Sequence, residues 1–142
     1  MKKIAIVVIY VFLAIILCSC KRNLNIEKGM SYSEFMEQTK GLSLFQFGKY
    51  ACYEENNANL VIEFGENDDN NSIIVNYQRF PKRKVSLKDK DKIKKGMTIY
   101  EVVEILGTPS GIVTSGLIVV AFPISYKDMI TVQFNDNLVV IG

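Results

Sequence analysis

The chain has 142 residues, of which 23% are charged, and its formal net charge is +2. That length can hold one domain or two small ones, and the balance of charge gives no case for nucleic acid as a partner. Because the chain contains no histidine, the sequence excludes Cys-His and Ser-His-Asp catalysis and lacks the commonest metal ligand.

The first 19 residues have the pattern of an export signal. Two lysines precede an unbroken apolar run at residues 4–17, which is shorter than the run of about 20 residues that a membrane-spanning helix needs. The following Leu17-Cys18-Ser19-Cys20 resembles the lipobox of bacterial lipoproteins. The resemblance implies that cleavage leaves Cys20 as the lipid-modified first residue, with residues 20–25 as a lipidated cysteine and tether. A plain signal peptide or a signal anchor is the alternative.

After that cleavage the mature domain keeps one free thiol, Cys52, so no intramolecular disulfide can form. A lone thiol in an exported protein can mark an intermolecular disulfide. Cys52 lies among apolar neighbours in a predicted strand, however, and we expect it to be a small buried hydrophobic residue. No base lies near it in the sequence to lower its pKa.

An internal repeat organises the rest of the chain. Residues 26–37 and 93–104 are identical at six of their twelve positions, which predicts two copies of one structural unit. In each copy a hydroxyl residue is followed three positions later by glutamate, the spacing of a capping box at the start of a helix. The helix-cap motifs are Gly29-Met30-Ser31 with Glu34, and Gly96-Met97-Thr98 with Glu101.

Both predicted helices are about two turns long and end at Gly41 and Gly107, so each must pack on a larger element. Hydrophobic alternation and turn residues predict strands for that purpose. After the first helix the predicted strands are residues 45–54, 59–64 and 72–80, with a weak strand at 84–87. After the second helix they are residues 111–115, 117–122, 129–134 and 138–141.

The predicted fold class is therefore α+β, with two tandem repeats at residues 26–87 and 93–142. Each repeat is a short helix, or helix pair, packed on a small antiparallel β-sheet. Residues 88–92 alternate in charge and are expected to form a solvated linker. Residues 117–122 are apolar throughout and are expected to form a central strand that is covered on both faces.

The second copy also carries longer motifs: Lys95-Gly96-Met97-Thr98, Glu101-Val102, Leu106-Gly107-Thr108-Pro109 and, after the strands, residues 132–139. On these motifs the chain resembles the SmpA/OmlA (BamE-like) lipoprotein family, whose fold is shared by the β-lactamase inhibitory protein. The resemblance implies one or two short helices over an antiparallel sheet, repeated in tandem as in the inhibitory protein, and a role in binding other macromolecules. It is good over residues 93–142 and looser over 26–87.

Aromatic residues of the first repeat are the candidate protein-binding residues. Phe45, Phe47 and Tyr53 are expected on one face of a regular strand, with Tyr77 and Arg79 on a later strand. Most aromatic side chains should fill the core, but some are expected on an uncovered sheet face, where they would suit a protein interface.

A basic group at residues 79–84 could meet anionic lipid headgroups or an acidic partner, with a solvated edge strand as the alternative. The acidic loop at residues 66–71 lacks the full calcium-binding pattern, and no phosphate-binding loop is present. We therefore expect no metal and no cofactor.

These features predict a non-enzymatic, membrane-anchored envelope lipoprotein that acts as a protein-binding or scaffold module, in envelope assembly or maintenance. One alternative is an inhibitor of a β-lactamase or related cell-wall enzyme. Another is a small-ligand or cell-wall sensor whose ligand lies between the two repeats. The expected location is the outer face of the plasma membrane in a monoderm or the outer membrane in a diderm.

Overall fold

The computed structural model describes residues 21–68, 70–113 and 116–142. The predicted signal peptide and the predicted lipidation site, Cys20, lie outside these residues. In chain order the described elements are α1 (Tyr32–Gln38), β1 (Phe45–Phe47), β2 (Tyr50–Glu54), β3 (Ala58–Glu66), β4 (Ser72–Pro81), a 3₁₀-helix (Leu87–Lys92), α2 (Ile99–Leu106), β5 (Gly111–Ile112), β6 (Ile118–Pro123) and β7 (Met129–Phe134).

Both predicted helix starts are confirmed. At α1 the Ser31 side chain accepts a hydrogen bond from the Glu34 amide, and the Glu34 carboxylate accepts one from the Ser31 amide. Thr98 and Glu101 form the same capping box at α2. Hydrogen bonds from the side chain and amide of Ser31 lower the pKa of Glu34, and hydrogen bonds from Thr98 lower the pKa of Glu101.

The Gly-Met pair before each cap also joins the helix to a distant strand segment. The Gly29 amide donates to the Ile74 carbonyl at 2.8 Å, and the Ile74 amide donates to the Met30 carbonyl at 2.9 Å. The same pair of hydrogen bonds links Gly96 and Met97 to Val140, at 2.9 and 2.8 Å. Both glycines have positive φ, 88° and 91°, which glycine adopts without steric cost. The repeated motif therefore begins a helix and fixes it to a strand.

Strands β1 to β4 form an antiparallel sheet in the order β1-β2-β3-β4, which we call the first sheet. The prediction of one strand over residues 45–54 is wrong, because the chain turns at Gly48, where φ is +53°, and forms two strands. Phe45 consequently pairs with Cys52 across the turn. The longest pairing, between β3 and β4, runs from Ala58 and Pro81 at one end to Glu66 and Ser72 at the other.

Strands β5 to β7 form the second sheet, antiparallel in the order β5-β6-β7. The strand predicted at 138–141 is reduced to isolated bridges, Val139 with Thr98 and Val140 with Phe134. The weak strand predicted at 84–87 does not form. β6 is central, as predicted, but the expectation of cover on both faces is wrong, since Val119 is only half-buried and points away from α2.

The elements stack in four layers. Residues 24–30 with α1 cover one face of the first sheet, α2 covers its other face, and the second sheet packs on the far side of α2. Buried residues on the α1 side form one cluster: Leu24, Ile26, Met30, Phe35, Ala51, Tyr53, Leu60, Ile62, Phe64 and Ile74. A second cluster joins the opposite face of the first sheet, through Phe45, Cys52, Val61 and Phe80, to α2 and to the inner face of the second sheet. The α+β class with antiparallel sheets is confirmed.

The segment between the two sheets is held by one buried carboxylate. Asp89 accepts hydrogen bonds from the Ser86 amide at 2.8 Å, from Arg83 at 2.7 Å and from Lys92 at 2.6 Å. The hydrogen bonds from Lys92 and Ser86 hold the pKa of Asp89 well below its usual range. Residues 88–92, expected as a solvated linker, therefore belong to a capped 3₁₀-helix whose lysines are exposed and whose Asp89 is buried.

Candidate interaction surface

The aromatic residues predicted to share one binding face do not share it. Phe45 and Phe47 face α2, whereas Tyr53 faces α1 from the other side of the sheet. The turn at Gly48 reverses the chain, so the alternation expected along a single strand is lost. Phe45 is 5% exposed and Tyr53 is 4% exposed, which leaves neither available to a partner.

Tyr77 and Arg79 lie on the α1 side of β4, where Arg79 forms a clamp rather than an open surface. Its Nε donates to Glu55 Oε2 at 2.8 Å, and its terminal nitrogen donates to the Leu24 carbonyl at 2.7 Å. The guanidinium also lies 5.5 Å from the centre of the Tyr77 ring. The hydrogen bond to Glu55 raises the pKa of Arg79.

Glu55 is the centre of this clamp, and no sequence motif marks this role. Its side chain is buried, and it accepts a hydrogen bond from the Leu24 amide at 2.8 Å in addition to those from Arg79. A buried carboxylate needs such partners, because its desolvation is otherwise very costly. The tether expected at residues 20–25 is therefore packed against the body at Leu24, and Lys21 forms an ion pair with Glu54.

A polar contact ties α2 to the first sheet. The Tyr100 hydroxyl lies 3.4 Å from both Glu63 Oε2 and Asn76 Nδ2, and Lys49 Nζ lies 2.5 Å from Glu63 Oε1. Burial raises the pKa of Tyr100, and the hydrogen bond to Glu63 raises the pKa of Lys49. Both groups are therefore in their ordinary protonation states at neutral pH and serve as structural contacts.

Cys52 is buried as expected, and desolvation raises the pKa of its thiol. Among residues 21–68, 70–113 and 116–142, no cluster of three or more histidine, cysteine, aspartate or glutamate side chains is placed to hold a metal ion. In the same ranges no helix is both long and apolar enough to cross a bilayer.

The exposed apolar surface is on the second sheet. Residues that alternate with the inward-facing Val120, Phe122, Ile130 and Val132 point away from α2. We call this surface the open face; its residues are Val113, Val119, Pro123, Met129, Thr131, Gln133 and Ile141. Ala121 is on the same side of β6 but is only 3% exposed, so it is not part of the open face. None of the seven residues is charged, and Met129 is 56% exposed and Val113 47% exposed.

Sequence reasoning missed the open face although a signal for it was present. The alternation Met129-Ile130-Thr131-Val132-Gln133-Phe134 predicts one buried and one solvent-facing side for β7. The neighbouring apolar run of β6 instead predicts burial on both sides, whereas in the structure Val119 shares the solvent-facing side with Gln133.

Comparison with known proteins gives no further assignment: no protein family, curated protein or solved structure matches the chain. The resemblance to the SmpA/OmlA family thus stays a prediction from the sequence motifs.

Proposed function

We propose that this chain is a non-enzymatic, membrane-anchored envelope lipoprotein that binds a partner protein through the open face of the second sheet. Its lipid is carried by Cys20, and its body consists of two tandem copies of one α+β unit. The membrane is the outer face of the plasma membrane in a monoderm or the outer membrane in a diderm. The partner presents an apolar, uncharged surface, since the open face offers no charge to pair.

The observation that carries the proposal is the composition of the open face. A solvent-facing side of an antiparallel sheet is normally polar, because only one side is needed for the core. Here valine, methionine and isoleucine occupy it at positions 113, 119, 129 and 141. These side chains add nothing to either buried cluster. Contiguous exposed apolar surface without charge is typical of the centre of a protein interface.

The tandem organisation is supported by the matched helix starts. Each copy has a capping box, a glycine with positive φ and two backbone hydrogen bonds to a later strand segment. These contacts involve residues at equivalent positions of the repeated sequence. Shared backbone geometry at equivalent positions favours duplication of one unit over coincidence of two helix caps.

The proposal is tested by site-specific photo-crosslinking in intact cells. A photoreactive amino acid is placed at Met129 or at Val113 on the open face, and at Met36 on α1 as the control, which is exposed but lies elsewhere. We expect one discrete adduct with the same protein from both open-face positions and none from position 36.

A charge placed on the open face should remove that adduct. Thr131→Lys puts an unpaired cation at its centre, where burial against an apolar partner is costly. The matched control is Gln46→Lys, at an exposed position of β1 beside Met36 of α1. The proposal is contradicted by equal crosslinking from position 36, by an adduct only with a second copy of this chain, or by an adduct that survives Thr131→Lys.

A further inference from the structure

We propose that the end of the body that carries Lys21, the proximal end, is a docking surface for an anionic lipid bilayer. Its basic side chains meet headgroup phosphates, and Tyr126 lies among the headgroups. The inference rests on the lipid anchor proposed at Cys20 and adds a second membrane contact, made by the folded body itself.

Three segments of the chain meet at the proximal end. Lys21 and Lys82 form ion pairs with the two oxygens of the same carboxylate, Glu54. Residues 82–84 line a cleft of about 320 Å³ whose other wall includes Pro123 and the adjoining Ile124, at the end of β6. Pro123 also lines a neighbouring groove of about 510 Å³ together with Lys21. The start of the body, the segment after β4 and the β6–β7 hairpin are therefore neighbours.

The proximal end carries positive charge that the protein does not neutralise. Residues 82–88 include four basic residues and no acidic one. Within the described ranges Lys84, Lys88 and Lys127 take part in no ion pair. The nearby acids Glu54 and Asp89 are already paired with lysine or arginine, and within the described residues Asp91 of the 3₁₀-helix and Asp128 of the hairpin form no ion pair, so two unpaired acids accompany these three unpaired lysines. Lysines near an anionic membrane surface are attracted to it within about 10 Å.

Two apolar side chains accompany these lysines. Tyr126, at the tip of the β6–β7 hairpin beside Lys127, is 100% exposed, and Leu87, beside Lys88, is 57% exposed. Neither belongs to a buried cluster of the body. Tyrosine is favoured at the membrane–water interface, where its ring is partly desolvated and its hydroxyl stays hydrated. Exposed tyrosine and leucine among free lysines match the chemistry of a lipid surface.

The position of the anchor brings this end to the membrane. Cys20 adjoins Lys21, so their Cα atoms are only about 3.8 Å apart. The Glu55 clamp holds Leu24 against the first sheet, which prevents residues 21–24 from swinging the body away. A lipid on Cys20 therefore places the proximal end, rather than the opposite end, against the headgroups.

Vesicle binding by residues 21–142 tests the surface without the anchor, since this piece contains both buried clusters and every described element. The probes are vesicles of phosphatidylcholine alone and of phosphatidylcholine mixed with phosphatidylglycerol. We expect binding to the mixed vesicles only, and its loss in raised salt. Lys84→Gln with Lys127→Gln should weaken binding roughly 10- to 30-fold, because each lysine contributes several-fold.

The matched control is Lys28→Gln with Lys95→Gln, which removes the same charge at the other end of the body. Lys28 is remote from the proximal end because the next residue, Gly29, is hydrogen-bonded to Ile74, which is seven residues and roughly 23 Å along β4 from Pro81. Lys95 is remote because the next residue, Gly96, is hydrogen-bonded to Val140. Val140 pairs with Phe134, at the end of β7 opposite the β6–β7 hairpin. This control should bind the mixed vesicles like the unchanged protein.

Tryptophan fluorescence tests the orientation in the full chain, which has no tryptophan of its own. Tyr126→Trp and Tyr32→Trp are compared in the full chain reconstituted into both kinds of vesicle. Tyr32 is exposed and contacts Phe64 near the far end of β3. We expect a blue shift for tryptophan 126 in mixed vesicles only, and none for tryptophan 32 in either kind.

The proposal is overturned if residues 21–142 bind neither kind of vesicle or bind both kinds equally. It is overturned too if the control variant, Lys28→Gln with Lys95→Gln, loses as much affinity as the test variant, Lys84→Gln with Lys127→Gln. It is also overturned if tryptophan 126 shows no shift. These outcomes leave crosslinking from the open face unaffected. If residues 21–142 bind mixed vesicles while the full chain is not lipid-modified in cells, the anchor is disproved and the lipid-binding surface stands.

Discussion

The first sheet has cover on both faces, whereas the second has a helix on one face only. The difference does not follow from the strands themselves. Leu60-Val61-Ile62 of β3 and Val119-Val120-Ala121 of β6 are both continuous apolar runs. β3 lies between α1 and α2, and all three of its residues are fully buried; β6 has only α2, and Val119 is left half-exposed. An apolar run on a strand therefore does not by itself show how much of the strand the fold covers: both sides of β3 are buried, whereas β6 is left half-exposed at Val119.

Helix α2 packs against both sheets. Its buried residues Ile99, Val102, Val103 and Leu106 contact the first sheet and the second sheet in one cluster. Because a helix of eight residues is marginal in isolation, it depends on both partners. The two sheets are thus coupled through α2, and we expect the body to unfold as one unit.

The largest expected effect comes from shortening side chains on the enclosed faces. Phe80→Ala on the first sheet and Phe122→Ala on the inner face of the second should each lower the free energy of unfolding by about 3–5 kcal/mol, because each leaves a cavity beside α2. Met129→Ala on the open face should change it by less than about 0.5 kcal/mol. Urea unfolding measures all three, and a large loss for Met129→Ala would mean that the open face is covered.

A smaller loss is expected when the clamp is broken. Glu55→Gln removes the charge that Arg79 and the Leu24 amide share and should cost about 2–3 kcal/mol. The neighbouring Glu54→Gln is the control, since its pairs with Lys21 and Lys82 are half-exposed and contribute at most about 1 kcal/mol. Thermal unfolding of both variants measures these changes. Equal losses of stability in Glu55→Gln and Glu54→Gln would show that the clamp does not hold residues 21–24.

Removing either helix cap, by Ser31→Ala or by Thr98→Ala, should lower the free energy of unfolding by about 1 kcal/mol, because each substitution removes one side-chain acceptor at a helix start. We expect the two losses of stability to be equal although α1 packs on one sheet and α2 on two. The double variant should lose the sum, since the two sites share no contact. Unequal losses measured by urea unfolding would argue against equivalent roles for the two copies of the motif.

The last expected effect is a pH dependence from Asp89. Its pKa is lowered in the folded state, so its contribution to stability is complete above the unfolded pKa of about 3.9 and disappears as pH falls toward the folded value. The urea midpoint of the unchanged protein should therefore fall more between pH 6 and pH 3 than that of Asp89→Asn. Parallel curves for the two proteins would contradict the role of Asp89.

Local features of this fold could be predicted from the sequence. The capping boxes at Ser31 and Thr98 depend on residues three positions apart, and the alternation of β7 depends on residues two apart. Such signals are contained in a few neighbouring residues, which is why the helix starts and most strand positions are confirmed. The turn at Gly48 was missed because Phe47 and Tyr50 continue an apolar pattern across it.

Long-range contacts could not be predicted in this way. The clamp joins Leu24 to Arg79 across 55 residues, and nothing near Glu55 marks it as buried rather than as part of a polar turn. The cover of the first sheet by α2 likewise depends on how separate elements pack. Alternation continued across the turn at Gly48 predicts Tyr53 beside Phe45, and the continuous apolar run of β6 predicts burial where the structure has the open face. The candidate interaction surface therefore emerged only from the packed structure.

Thiol labelling tests the contrast between the two sheets most directly. In residues 21–142 the native Cys52 points from the first sheet toward α2, and Met129→Cys adds a thiol on the open face. A thiol-reactive dye should modify cysteine 129 at the rate of a free thiol, and Cys52 should react only when urea unfolds the protein. Rapid labelling of Cys52 in the folded protein would show that this face of the first sheet is open and would contradict the contrast.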